Sequence, residues 1–232
     1  MDEQTRDIDL AVSPTLAAER PPANSKDRLV AAARELMIER NAVDFSLQDV
    51  AARSGLNSAL VKYHFGNKDG LLLAILERDA GYAVVQMRRL AALDISATAK
   101  LEAHIKGVIE TYYRYPYLNR LIHLTMHERG EEEAGQVAKF FVEPLVAFQR
   151  ELLAKGIASG EFKPVDPIFF YHAVIGACEH LFSSRLAMRR VFGAEDINDD
   201  LCRSYTAFVV DLVGRGLLRG DSLSPPSARG LG

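Results

Sequence analysis

Asn57, Ser58, Lys62 and Tyr63 are spaced to share the outward face of one short helix. An amide and two hydroxyls suit the edges of nucleotide bases, and a cation suits phosphate, so the chemistry on offer is recognition rather than bond-making. Other reactive residues are scattered. His123 and His127 stand at i, i+4, a spacing that could hold a metal, but they lack the HExxH pattern and a defined third ligand, so no metal is expected. Glu131, Glu132 and Glu133 form a solvated acidic run, and Cys178 and Cys202 show no CxxC spacing. No glycine-rich phosphate loop, nucleophile elbow or catalytic carboxylate pair occurs. Neither an enzyme nor a cofactor is expected.

The elements that position the first group are local. The stretch from Phe45 to Phe65 (FSLQDVAARSGLNSALVKYHF) predicts two short helices joined by the Ser54-Gly55 turn, with Val50, Ala51, Leu56, Leu60 and Val61 packing them together. Ser46 is the expected cap of the first of these and Asn57 of the second. A preceding helix starts near Ser25 and carries Leu29, Ala32, Ala33, Leu36 and Met37 on one side. Lys68 opens a long helix running to Asp94, about 40 Å at 1.5 Å per residue. Five more helices are expected over Thr98–Tyr115, Pro116–His127, Glu133–Ser159, Pro167–Ser184 and Asp199–Leu218, for an all-α, nine-helix, two-domain architecture. Its parts are a flexible arm (1–24), a helix-turn-helix domain (25–70), a helical sensor and dimerisation domain (71–219) and a disordered tail (220–232), the tail being rich in Gly, Ser and Pro.

The segment Ser46-Leu47-Gln48-Asp49-Val50-Ala51-Ala52-Arg53-Ser54-Gly55-Leu56 resembles the second helix and turn of the TetR family of bacterial transcriptional regulators. Val61 to Leu71 (VKYHFGNKDGL) is similar to that family's third helix and the lead into its fourth, and the resemblance extends over Arg28 to Leu72. Asn41 stands near a glycine common in the family, and Asn tolerates the left-handed conformation. Lys62 stands where an aromatic is usual and adds a cation. The resemblance implies that Ser46 and Gln48 hold phosphate at a helix N-terminus, that Lys68 does so on the fourth helix, and that Asn57, Ser58, Lys62 and Tyr63 reach the major groove. His64 either meets phosphate or caps the third helix.

It further implies a homodimeric repressor that binds a palindromic DNA operator and is released by a small-molecule effector. The alternative is an all-α ligand-binding or interaction protein without DNA binding. For the dimer, the last two long helices offer Phe169, Phe170, Ala173, Val174, Gly176, Ala177 and Leu181 on one and Tyr205, Phe208, Val209, Leu212 and Val213 on the other. For the effector, aromatic and polar residues on otherwise apolar faces suggest Tyr82, His104, Tyr112, His123, Phe141, Phe148 and His172.

Composition agrees. The 232 residues carry a formal net charge of −3, which argues against indiscriminate coating of nucleic acid. Between Lys26 and Lys68, however, seven Lys or Arg face five Asp or Glu. The polar, acidic start and the absence of a long apolar run predict no signal peptide, no membrane span and a cytoplasmic protein.

Overall fold

Helix α1 (Ser25–Arg40) begins one residue earlier than its apolar stripe requires, because the Asn24 side chain, and not Ser25, accepts the Asp27 amide and caps it. The computed structural model describes residues 24–128, 130–194 and 196–218. The arm over 1–24, apart from Asn24, and the tail over 220–232 lie outside the described residues. Asn41 ends α1 in the left-handed region at φ 46°, its amide bonded back to Ile38 and Met37. Then come α2 (Leu47–Ser54), α3 (Ala59–Phe65) and α4 (Lys68–Ala92). Leu29, Ala33 and Met37 of α1 meet Phe45, Val50 and Val61, and Leu71, Leu72, Ile75 and Leu76 of α4 close that core.

The lower part of α4 buries Ala80, Val84, Met87 and Leu90 against α5 (Ala97–Arg114), so one rigid helix of about 37 Å belongs to both halves. Helix α6 (Leu118–Glu128) follows. Helix α7 is continuous but has three parts: Glu131–Val137, a π turn at Ala138–Val142, and Glu143–Ala158. The widening has a cause in the sequence. Pro144, in the first turn of the third part, has no amide hydrogen and crowds the carbonyl four residues back, and the Glu143 amide reaches instead to Ala138, five residues away.

Helices α8 (Pro167–Ser183), α9 (Arg185–Val191) and α10 (Asp199–Leu217) complete the described chain. Ten helices are thus present among the described residues rather than nine. The addition is α9, a short helix with no buried residue and hence no apolar stripe to betray it. The fold is all-α; an isolated bridge between Phe162 and Leu218 is the one β pairing among the described residues. Among them, no helix is long and apolar enough to cross a membrane.

Candidate nucleic-acid interface and sensor cavity

The first half is tied together by its polar groups. Ser46 Oγ accepts the Asp49 amide at 3.1 Å while the Asp49 carboxylate accepts the Ser46 amide at 2.8 Å, a reciprocal cap on α2. Arg40 donates to the same carboxylate at 3.0 Å, and Arg40 foremost, then Ser46, holds Asp49 well below the usual carboxylate range. Gly55, at φ 66°, makes the α2–α3 turn, and Arg28 of α1 donates to the Ser54 carbonyl at 2.7 Å. The Asn57 side-chain oxygen accepts the Ala59 amide at 2.8 Å, so its carbonyl end starts α3 and its NH₂ end remains for a partner. His64 Nε2 lies 2.7 Å from Ser25 Oγ and pins α3 to α1.

Charges sort in the same way. Arg40 pairs with Asp49, Arg53 with Glu35 and Glu39, and Arg34 with Asp79. Lys26, Arg28, Lys62 and Lys68 have no ion pair with a described residue, so the basic surplus of the head rests on these four. Lys68 holds its ammonium 4.7 Å over the Phe45 ring, one residue before Ser46, which brings two of the expected phosphate holders to one corner. Lys62 and Tyr63 face outward on α3, Tyr63 at 80% exposure, with Gln48 exposed on α2 and Ser58 half-buried at the start of α3. Arg28 is the contributor that sequence reasoning missed.

In the other half, α4, α5, α7 and α8 line a partly open cavity of about 70 Å³. Tyr82, His104, Tyr112 and Phe141, four of the seven residues suggested by sequence, line it, with Phe141 supplied by the π turn. Phe148 is buried one layer behind, its ring 5.0 Å from that of His104. His123 and His172 stand apart from the cavity on exposed faces of α6 and α8, His123 beside His127 with ring centres 4.3 Å apart. Among the described residues no cluster of three or more metal-ligating side chains forms.

Gln86, Thr111, Arg114 and Tyr115 join the lining without having been singled out. Arg114 pairs with Glu110 at 2.8 Å, and Thr111 Oγ1 donates back to the Gly107 carbonyl. His104 is bonded to the fully buried Gln149 at 2.9 Å. A lone Gln beside Phe148, Leu152 and Leu153 was the available signal for that pair.

Burial alone drives the His104 pKa down to about 4, so the ring is neutral in the folded protein. Its folded value lies below the unfolded value of about 6.5, and the associated stability is therefore complete above that pH. It is lost as pH falls through the folded value, by about 3 kcal/mol in all. Urea titrations from pH 7 to 4 should show this decline in the wild type and a flatter profile in His104→Gln; identical slopes would mean that the ring is not held neutral.

A compact trihelical head with an unengaged outward face, joined through one long helix to an apolar chamber, defines a helix-turn-helix regulator with a helical sensor domain. Comparison with known proteins agrees with that class. Residues 29–75 match the family described as bacterial regulatory proteins, tetR family, and residues 94–222, over half of the chain, match the tetracyclin repressor-like C-terminal domain. The chain belongs to the TetR family and is a DNA-binding transcriptional regulator.

It is 23% identical over 203 residues to the HTH-type transcriptional repressor NicS of Pseudomonas putida, covering 84% of this chain and 93% of that one. Its fold is similar to a tetR-family regulatory protein from Rhodococcus RHA1, with TM-score 0.68, 18% identity, and 86% and 100% of the two chains covered. It is also similar to the transcriptional regulator FadR of Bacillus subtilis in complex with stearoyl-CoA, with TM-score 0.64, 16% identity, and 82% and 97% covered.

Proposed function

We propose that the chain is a homodimeric, cytoplasmic repressor that reads a palindromic operator through α3 and releases it when a largely apolar small molecule enters the cavity. The observation that carries the reading is the outward face of α3. Asn57 keeps its NH₂ end, Lys62 has no partner among the described residues and Tyr63 is exposed, while Arg34, Arg40 and Arg53 are spent on ion pairs within the protein. In this reading Ser46, Gln48 and Lys68 hold phosphates, Asn57, Ser58, Lys62 and Tyr63 meet the major groove, and His64 positions α3 through Ser25.

A dimer supplies the second reading head that a palindrome requires. Phe169, at 72% exposure on α8, and Phe208 and Leu212, at 60% and 54% on α10, form the apolar face suited to it, with Ala173 and Gly176 small enough to let helices approach. Phe170, Val174, Leu181 and Val209 point the other way, into the core. The Tyr205 hydroxyl donates to the Ala177 carbonyl at 2.5 Å and keeps the two helices in register.

For the effector, the walls formed by Met87, Leu90, Val108, Phe141 and Leu145 favour an apolar body, with Tyr82, Gln86, His104 and Thr111 as polar contacts. The stearoyl-CoA held by Bacillus subtilis FadR is a ligand of that protein with such a body.

The test is selection of bound duplexes from a random DNA pool at two salt concentrations. An inverted repeat is expected; weak, unselective binding erased by salt would sink the reading and favour an all-α binding protein whose head no longer reads DNA. On the selected operator, Tyr63→Ala is expected to cost about 1–3 kcal/mol and to matter less on random DNA. Lys62→Gln should lower the slope of log affinity against log salt by about one. Equal losses on both DNAs would remove Tyr63 from base readout.

A further inference from the structure

We infer that Tyr115 and Arg34 are the positioning pair through which occupancy of the cavity moves the reading head. This rests on the proposal that the cavity takes an effector, and it assigns the route by which that site controls α1. Tyr115 has two sides. It belongs to the cavity wall at the end of α5, where the backbone leaves the helix at φ −122° and ψ 67°, and its ring lies 5.0 Å from the Arg34 guanidinium.

Arg34 belongs to α1, the helix on which α2 and α3 are hung by the Arg28 and His64 contacts. Its Nε donates to Asp79 Oδ2 of α4 at 3.1 Å and to the Tyr117 hydroxyl at 3.1 Å. The Tyr117 hydroxyl donates in turn to the same Asp79 oxygen at 2.5 Å. Tyr117 is fully buried, Asp79 is 2% exposed and the Arg34 side chain 15%. The three groups close a ring that joins α1, α4 and the α5–α6 junction.

Burial works against the charge on Arg34, and the neighbouring Tyr117 and Asp79 outweigh it, so the guanidinium stays charged. A charge in this setting cannot be left behind by its partners at low cost. A ligand that pushes the Tyr115 ring presses on the Arg34 guanidinium and on the Tyr117 ring, whose centre lies 6.2 Å from its own, so the displacement reaches the hydrogen-bonded ring and, through Arg34, α1. Closely packed elements pass such a displacement on as a shift between discrete arrangements.

A second link between the halves avoids the cavity. Arg120 of α6 donates to the carbonyl of Asn41, at the end of α1, and to that of Ser183, at the end of α8, at 3.4 Å. It does not line the cavity and so provides the control. Mere attachment of the head would make both links equivalent; a relay requires the Tyr115 link alone to carry the response.

The experiment uses the full chain and its selected operator, with enlarged side chains standing in for an effector. Val108→Phe and Ile175→Phe each fill the cavity from a different helix, α5 and α8. Each is expected to weaken operator binding about tenfold by anisotropy titration. In a Tyr115→Leu background the same fillers should change affinity less than about twofold, a departure from additivity that measures coupling. Tyr115→Phe keeps the ring and should restore the full response, while in Arg120→Gln the filler effect should persist whatever happens to basal affinity.

Additive effects in Tyr115→Leu, equal loss in Tyr115→Leu and Arg120→Gln, or fillers without effect would each overturn the relay. Two fillers guard against one misfolding. Hydrogen exchange over Ser25–Arg40 gives the same comparison without DNA: fillers should raise exchange in the wild type and Tyr115→Phe, but not in Tyr115→Leu. Failure to select an operator would therefore defeat the regulator proposal, while the exchange result still decides the relay.

Discussion

Phe208→Glu combined with Leu212→Glu is expected to yield a folded monomer whose operator affinity is lower by roughly 10²–10⁴, if the proposed dimer forms through α8 and α10. Both side chains are largely exposed on α10, whereas the core residues of that helix are Cys202, Val209 and Leu217, so the protomer keeps its packing. In a two-fold interface each substituted position returns from the partner, so the two substitutions place four carboxylates in an apolar contact. The affinity falls because the second head loses the high local concentration that the first, once bound, provides. Sedimentation equilibrium and operator titration on the same preparations check both halves of the claim. A variant that stays dimeric and binds the operator normally would move the interface away from α8 and α10.

Most of the helices are legible because each buries one stripe. α1, α4 and α5 return apolar residues at three and four, and their N-termini carry good capping residues, Asn24, Asn67 and Ser96, so their bounds shift by only one or two residues, as between Asn24 and Ser25. Helix α9 follows no such rule. Leu186 and Val191 are exposed at 66% and 73%, only Met188 is partly buried against the core, and one such residue makes no stripe. The π turn lies in an unbroken apolar pattern, and only Pro144 marks it.

The reading head and the cavity differ in legibility for a physical reason. The head is built from contiguous residues whose turn, caps and packing positions are local, so the Ser54-Gly55 turn and the packing positions Val50 and Val61 could be assigned from the sequence. The cavity gathers residues from four helices, and residue type cannot tell a lining His104 from an exposed His123 or His172. The Arg34–Asp79–Tyr117 ring is harder still, since its members are 45, 38 and 83 positions apart and each has an ordinary local context. Arg28 escaped notice because its partner is a backbone carbonyl.

The loop after α7 shows how much can rest on one residue with no sequence motif. Phe162→Ala is expected to destabilise the protein by about 3–5 kcal/mol in urea titration. Phe162 is fully buried, and a Cβ built on Gly156 would fall 2.1–2.6 Å from its ring carbons, so the ring occupies the space that only a glycine leaves on α7. Its amide donates to the Gly156 carbonyl at 2.9 Å, and the next amide, of Lys163, donates to Leu217 at the end of α10 at 2.9 Å. The preceding Glu161 caps α5 by accepting the Ala97 and Thr98 amides and the Thr98 hydroxyl. Removing the ring therefore leaves a cavity at the point where α5, α7 and α10 are clamped together. Gly156→Ala should also destabilise the fold, through a clash instead of a void, and adding it to Phe162→Ala should cost less than the sum of the two because the clash partner is gone. Strict additivity would show that the ring and Gly156 do not share that space.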